Sequence, residues 1–273
     1  MNWKKLYKFA KDNYFITIFI AIILFVGAVS VYKMFYSKAT FVYAKVKLGQ
    51  GLWWAGGQKP GTWLATSIQK GDVEKDLVGK PIAEVLSVRY YPWYVYDQYD
   101  VYLTLKLRVS VISKAKKYNF KRNTLGIGTP IELELSSAQV NGTVIDLSES
   151  PFEDKYVEKT VILIKKYAYP WEYDGIKAGD KYFDGENTVF EVTDKALGEG
   201  SYVFSPQRTS TSNIISQSLS EQRQTITVKA KLKVKETGDQ FIFGEEQKLY
   251  VGKTLTISTP VFNFQDYIIG KIE

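Results

Sequence analysis

The stretch GIKAGDKYFDGENTVFEVTDK, residues 175–195, decides the fold because an earlier part of the chain repeats its plan. The segment SIQKGDVEKDLVGKPIAEVLSV, residues 67–88, aligns with it through one Gly-Asp pair and one Glu-Val pair. The matched pairs are Gly71-Asp72 with Gly179-Asp180 and Glu84-Val85 with Glu191-Val192. Downstream, residues 125–147 align with residues 249–272 through Gly128 and Gly252. A plan that recurs in this order predicts an internal duplication.

Between these glycine turns, apolar and polar side chains alternate with a period of two, which is typical of a strand with one buried face. The apolar positions of the two longest runs are Val101, Leu103, Leu105, Leu107, Val109 and Val111, and then Ile226, Val228, Ala230, Leu232 and Val234. Asn141-Gly142 and Thr237-Gly238-Asp239 are predicted to form hairpin turns. No helix is predicted after residue 32. The expected body is therefore mainly β, with two tandem β-barrel-like or sandwich-like units from an internal duplication.

The N-terminal part has the pattern of a membrane anchor. From Tyr14 to Tyr32 the chain has 19 residues without a charge, preceded by four lysines. This length is enough for a helix to cross a bilayer, which makes a buried core helix the weaker alternative. A cleaved signal peptide is a second alternative, because Ala28-Val29-Ser30 offers small residues at cleavage spacing. We predict an uncut transmembrane helix that acts as a signal anchor.

The predicted organisation places the β-units outside the cytoplasm. Lysines flank the span equally on both sides, but a short basic tail followed by a long body is typical of a signal anchor, and long domains translocate largely regardless of charge. The predicted segments are a basic cytoplasmic tail (1–13), the transmembrane helix (14–32), the first β-unit (39–150), a linker (151–155) and the second β-unit (156–273), which carries a polar insertion (205–224).

Composition excludes several classes of function. The chain has 273 residues and contains no Cys and no His, which excludes thiolate nucleophiles, disulfides, His bases and zinc sites of the usual type. Without the four Lys and one Asp of residues 1–32, the chain's 36 basic and 29 acidic residues fall to 32 and 28, a net charge of +4. So small an excess, spread along strands, does not indicate a nucleic-acid partner.

Motifs that could carry chemistry are weak. Ser67-Ile68-Gln69-Lys70 has the S-x-x-K spacing, but that motif requires a helix and this one leads into a turn between strands. The acidic residues Asp180, Asp184 and Glu186, with Asn187, crowd one turn, where they are also ordinary hairpin residues. We therefore predict a protein that is not an enzyme and has no catalytic residues, no cofactor and no metal.

Aromatic residues beside Pro and Gly are the candidate binding residues. Tyr-Pro-Trp occurs twice, but Pro92 and Pro170 are 78 residues apart whereas the Gly-Asp turns are 108 apart, so the copies occupy different places in their units. The candidates are Trp53, Trp54, Trp63, Tyr91, Trp93, Tyr94, Trp171 and Tyr173. Four roles remain open for them: capping a core, contacting a protein, stacking on a glycan, or, for Trp53 and Trp54, burial at lipid headgroups.

This order of parts resembles an uncharacterised bacterial family, a domain of unknown function, in which one N-terminal span precedes a small β-domain with a K-x-G-D turn and an E-V strand. Residues 176–192 and 69–88 carry the resemblance. The chain is also similar, more loosely, to the extracytoplasmic β-barrels of the rod-shape cell-wall scaffold protein, although the coiled coil of that scaffold is missing here. Both resemblances imply a single-span protein of the cell envelope.

These observations together predict a non-enzymatic, membrane-anchored structural or adaptor protein of the cell envelope. Its expected partners are the lipid bilayer, through residues 14–32, and another envelope protein or a second copy of itself. The alternative is a surface glycan-binding module that uses the exposed Trp and Tyr loops.

Overall fold

Strands make up most of the chain. The computed structural model describes residues 13–36, 39–49, 59–93, 98–112, 117–205 and 219–273. Its strands form two eight-stranded sheets, each curled into a half-barrel, which confirms the prediction of a mainly β protein.

The first sheet is built from residues 40–148. Its strands are β1 (Thr40–Leu48), β2 (Val73–Lys75), β3 (Pro81–Pro92), β4 (Tyr99–Ile112), β5 (Lys117–Phe120), β6 (Asn123–Leu125), β7 (Pro130–Glu134) and β8 (Gln139–Ser148). They are ordered β2-β3-β4-β1-β8-β7, and β5 and β6 extend from β4.

The second sheet, from residues 156–272, repeats this arrangement. Its strands are β9 (Tyr156–Ala168), β10 (Lys181–Phe183), β11 (Thr188–Ser205), β12 (Leu219–Thr237), β13 (Gln240–Phe243), β14 (Gln247–Leu249), β15 (Thr254–Ser258) and β16 (Asn263–Ile272). The order is β10-β11-β12-β9-β16-β15, with β13 and β14 extending from β12. Each strand has a counterpart at the same place in the first sheet, so the chain contains two similar units.

The residues of the β-units include two short helices, α2 (Thr62–Ser67) and α3 (Pro170–Gly175). Each follows the first strand of its unit. The prediction of no helix after residue 32 was wrong, because a six-residue helix is too short to show an apolar period. Pro170 fits the first turn of α3, where its missing N–H costs no hydrogen bond.

The N-terminal helix α1 (Tyr14–Tyr36) is 23 residues long. It belongs to a unit of its own, up to Thr40, whereas both sheets belong to a second unit from Phe41 to Glu273. Large apolar side chains such as Phe15, Leu24 and Phe25 are exposed along α1. Among the described residues, no helix meets both the length and the hydropathy required of a membrane span.

The predicted alternation of buried and exposed side chains is confirmed. On β12, all five predicted apolar positions from Ile226 to Val234 are fully buried, and on β4 the positions from Val101 to Val109 are buried. Only Val111, near the end of β4, is exposed. Each unit encloses its own hydrophobic core between the faces of its curled sheet.

Four glycine turns repeat one hydrogen-bond pattern. Gly71, Gly128, Gly179 and Gly252 all adopt φ between +84° and +91°. In each turn the glycine N–H donates to a strand carbonyl, and the N–H of that strand residue donates to the carbonyl of the residue after the glycine. The strand residues are Val85, Val144, Val192 and Ile269. Only glycine adopts this φ without strain, which explains why glycine occurs at the matching positions of the sequence repeat.

Two predictions about loops are corrected by the pairing of strands. Asn141-Gly142 lies inside β8 rather than in a turn, because Gly142 pairs with Leu48, where a Cβ would come within 2.7 Å of the Lys47 carbonyl oxygen. The predicted insertion 205–224 is shorter than expected, since Ser205 belongs to β11 and 219–224 belong to β12. Thr237-Gly238-Asp239 does form the predicted turn, between β12 and β13.

Candidate functional site

The first Tyr-Pro-Trp copy lies where the two β-units meet. Tyr90 packs against the first core, whereas Tyr91 packs against the second core, where its ring lies 5.8 Å from the ring of Phe243. The Tyr91 hydroxyl donates to Asp184 Oδ2 at 2.9 Å. Burial, with Asp184 nearby, raises the pKa of Tyr91 far above its ordinary value, so the hydroxyl stays protonated as a donor. These adjacent tyrosines therefore join the two units.

The second copy is exposed and lies elsewhere in its unit. Pro170 opens α3, and Glu172 on that helix accepts a hydrogen bond from the Tyr169 N–H at 3.0 Å. The Trp171 ring stacks on Tyr169 with 6.0 Å between centroids and stays 63% exposed. Trp63 occupies the equivalent place on α2 and is 75% exposed. Trp171 is thus the counterpart of Trp63 rather than of Trp93.

The other predicted aromatic residues do not gather into one surface. Tyr173 is half-buried against the second core, and Lys195 Nζ lies 4.1 Å from the centroid of its ring. Trp53, Trp54 and Tyr94 lie outside the described residues. Among the described candidates, only Tyr91 and Trp93 line one common pocket.

The acidic turn of the second unit is the element that docks onto the first unit. The Asp184 carbonyl accepts the Tyr90 N–H at 2.8 Å, and Tyr182 donates its hydroxyl to the Tyr90 carbonyl at 2.6 Å. A Cβ on Gly185 would come within 2.7 Å of the Val88 carbonyl oxygen, so this turn approaches β3 more closely than any other residue type allows. The Asp184 carboxylate also accepts from the N–H groups of Glu186 and Asn187. The acidic turn thus uses one Asp184 oxygen for its own N–H groups and the other for Tyr91 of the first unit.

An ion cluster surrounds Arg89 in this interface. Arg89 Nη1 donates to Glu245 Oε1 at 2.5 Å, and Glu186 Oε2 lies 3.4 Å from Nη2. Tyr156 also donates to Glu245, at 2.9 Å. The side chains of Arg89 and Glu245 are only 14% and 7% exposed. Although burial alone would lower it, the pKa of Arg89 is raised by Glu245 and neighbouring groups, so the guanidinium stays charged.

A second ion cluster uses the linker between the units. Asp154 binds Lys45 of β1 and also Lys235 of β12, whose Nζ lies 2.6 Å from Asp154 Oδ1. Burial raises the pKa of Asp154, but the two lysines outweigh it and hold that pKa below its usual range. Burial lowers the pKa of Lys45, which Asp154 and Glu245 only partly offset. The predicted linker is therefore fixed to both sheets.

A cavity of about 350 Å³, here called the interunit pocket, opens between the units beside these clusters. Five of its twelve lining residues are aromatic, and Asp100 and Glu246 are among the polar ones; the aromatic residues are Tyr91, Trp93, Tyr102, Tyr182 and Phe243. Burial, with Glu246 and Asp100 nearby, raises the pKa of the Tyr102 hydroxyl well above its ordinary value.

Four charged side chains form a chain along this pocket. Lys59 Nζ lies 2.9 and 2.8 Å from the two carboxylate oxygens of Asp100 and 3.1 Å from the centroid of the Trp93 ring. Lys47 Nζ lies 3.3 Å from Asp100 Oδ1 and 2.7 Å from Glu246 Oε2. Each carboxylate therefore faces an ammonium group, and the four charges sum to zero.

Sequence reasoning missed most residues of this site. Tyr102 and Arg89 occupy outward-facing positions of their strands, which the alternation predicts to be solvated, yet Tyr102 is only 6% exposed. The residue types of Arg89 and Tyr102 could have indicated a contact surface, because Arg and Tyr are enriched at protein interfaces.

The two weak sequence motifs lie at the end of α2 and in the turn between β10 and β11. Ser67 ends α2, and its hydroxyl donates to the Leu64 carbonyl at 3.0 Å rather than to a base. Within the described part of the chain, no group of three acidic residues is arranged to hold a metal ion. Comparisons with family models, with curated proteins and with solved structures find no significant match for this chain.

Proposed function

We propose that this protein is a membrane-anchored structural or adaptor protein of the cell envelope that presents two fused β-units to a partner or to a second copy of itself. The observation that carries the proposal is the interface between the units. Asp184 is buried there and Arg89 and Glu245 are partly buried, and a hydrogen bond to a charged group contributes about 1.5–3 kcal/mol. An interface of this kind favours one rigid body over two units that move apart.

The β11–β12 hairpin supplies a contact element. Five residue pairs, from Ser201 with Arg223 to Ser205 with Leu219, extend it past the end of its pairing with β9, which ends at Gln224. At about 3.4 Å per residue, this two-stranded arm is about 17 Å long. In the part of the first unit that the structure describes, the corresponding strands β3 and β4 are shorter, with 12 and 14 residues against the 18 and 19 of β11 and β12. Free strand edges bind other proteins by adding a strand.

Attachment to the membrane is the part of the proposal that rests on the sequence. The run from Tyr14 to Tyr32 has no charge, and large apolar side chains such as Phe15, Leu24 and Phe25 are exposed along it. The same layout supports the resemblance to single-span envelope proteins and an extracytoplasmic location. Retention in membranes after a carbonate wash tests this part separately.

An arm deletion tests the adaptor role. Replacing residues 202–222 by Asn-Gly leaves Ser201 and Arg223 facing each other across a two-residue turn. We expect native mass measurement of the extracted full chain to show loss of the bound partner or second copy, with a melting temperature near that of the wild type. Trp171→Ala is the matched control, since it removes an exposed aromatic side chain and leaves the arm intact. A wild-type protein that is strictly monomeric and carries no partner would refute the adaptor role.

A second candidate function is glycan binding, and one observation favours it. The interunit pocket combines aromatic side chains with paired charged side chains. Pockets with this combination are typical of small-molecule sites.

A further inference from the structure

We infer that the interunit pocket binds one neutral sugar ring, with Trp93 and Tyr102 as its recognition residues. This inference rests on the second candidate function and gives that function a location and a ligand class. It does not depend on the β11–β12 arm. The sugar-binding proposal can therefore fail while the adaptor proposal stands, and the reverse.

The size and walls of the pocket set the first limit on the ligand. A volume of about 350 Å³ is near the lower end of the range for ligand pockets, about 300–1,000 Å³, and thus suits a ligand of one or two rings. Tyr91, Trp93 and Tyr102 provide flat apolar surface on the side of the first unit, and Phe243 faces them from the second unit. Because the Tyr91 ring already contacts Phe243 and Tyr102, at 5.8 and 6.1 Å between centroids, a ligand ring with one apolar face would lie against this aromatic wall rather than between its members.

The charges of the pocket set the second limit. Lys59 lies over one face of the Trp93 ring, so a cationic ligand gains no cation–π contact on that face, and a sugar ring must contact the indole elsewhere. Lys47 binds both oxygens of Glu246 and lies 3.3 Å from Asp100, so an anion would have to compete with two carboxylates for it. Because the local charges cancel in pairs, a neutral ligand avoids the cost of displacing either lysine.

The polar groups that line the pocket match a polyhydroxylated ring. Carboxylate oxygens accept hydrogen bonds at about four lone-pair positions, and the amide of Gln247 both donates and accepts. The Thr256 hydroxyl adds a third polar group on the side of the second unit. Hydroxyl groups around the edge of a sugar ring can use both kinds of partner, while its C–H face contacts the aromatic rings.

Direct titration of the full-length protein tests the inference. The protein is held in a zwitterionic detergent, because a sugar-headed detergent would compete, and is titrated calorimetrically with glucose, cellobiose, N-acetylglucosamine and its β-1,4-linked dimer. We expect at least one of these sugars to bind and Trp93→Ala to weaken that binding about 10-fold or more, equivalent to 1.4 kcal/mol. Trp93→Phe, which keeps an aromatic face, should recover part of the affinity.

The control is Trp171→Ala, which removes a more exposed aromatic ring on α3 and should leave sugar binding unchanged. If Trp171→Ala abolishes binding and Trp93→Ala does not, the assigned pocket is wrong, although glycan binding stands. If none of the four sugars binds, or if choline binds and the sugars do not, the ligand class is wrong. A melting temperature for Trp93→Ala close to that of the wild type shows that lost binding is not lost folding.

Discussion

Tyr90 and Tyr91 are neighbours in the sequence but pack against the cores of different units. Since successive side chains of a strand point to opposite faces, a doublet at the end of β3 reaches both units at once. Pro92 then ends the strand, and Trp93 reaches the interunit pocket. The first Tyr-Pro-Trp copy is therefore a joint between units, whereas the second begins a short exposed helix.

This difference predicts unequal effects of aromatic truncation. Tyr91→Ala should lower the free energy of unfolding by about 3 kcal/mol, the usual cost of removing a packed aromatic ring. Tyr91→Phe should cost about 1 kcal/mol, because it removes only the hydrogen bond to Asp184. Trp171→Ala, at a largely exposed position, should leave stability near that of the wild type. Chemical denaturation measures all three, and equal losses for Tyr91→Ala and Trp171→Ala would contradict the assignment of Tyr91 to the interface.

At the level of elements, the sequence was informative wherever a pattern is long enough to repeat. Five alternating positions on β12 predicted a strand whose inner face is buried, and the Gly-Asp turns predicted the duplication. The two six-residue helices were not predicted because they are shorter than two helical turns and show no apolar period. The turn predicted at Asn141-Gly142 was wrong because Gly142 lies inside the sheet, where the backbone of Lys47 comes too close for a side chain. A glycine required by such a close contact looks the same in the sequence as a glycine required by a turn.

The linker gives an element-scale prediction about pH. The pKa of Asp154 is lower in the folded protein than its unfolded value of about 3.9, so the carboxylate stabilises the fold above that value. That contribution should be lost as the pH falls through the folded pKa. Asp154→Asn should therefore be less stable at pH 7 and should lose less stability than the wild type on acidification below pH 4.

Thermal unfolding between pH 2.5 and pH 7 measures the two curves. The difference between wild type and Asp154→Asn should be largest at neutral pH and should shrink in acid, as the wild-type carboxylate becomes protonated. A difference that stays constant across this range would show that Asp154 has no shifted pKa in the folded state.

At the scale of the whole molecule, the sequence predicted two units but not how they join. The joining residues are outward-facing side chains of one sheet together with the acidic turn and the 245–246 segment of the other unit. The alternation of apolar and polar residues predicts that every outward-facing side chain is exposed to solvent. It therefore does not identify outward-facing side chains that the second unit covers. The same limitation hid the interunit pocket, whose walls come from both units.

Hydrogen exchange of the full chain measures whether the two units act as one body. If they do, amides of β4 and β12 in the two cores should exchange with the same opening free energy in the wild type. Arg89→Ala should lower that free energy in both strands by about 1.5–3 kcal/mol, the usual contribution of a hydrogen bond to a charged group, because it leaves Glu245 with Lys45, at 3.7 Å, as its remaining counter-charge. Lys231→Gln, on the exposed pair with Glu158, should change neither strand appreciably. Exchange that is independent in the two strands, with Arg89→Ala affecting neither or only one, would contradict a fused body.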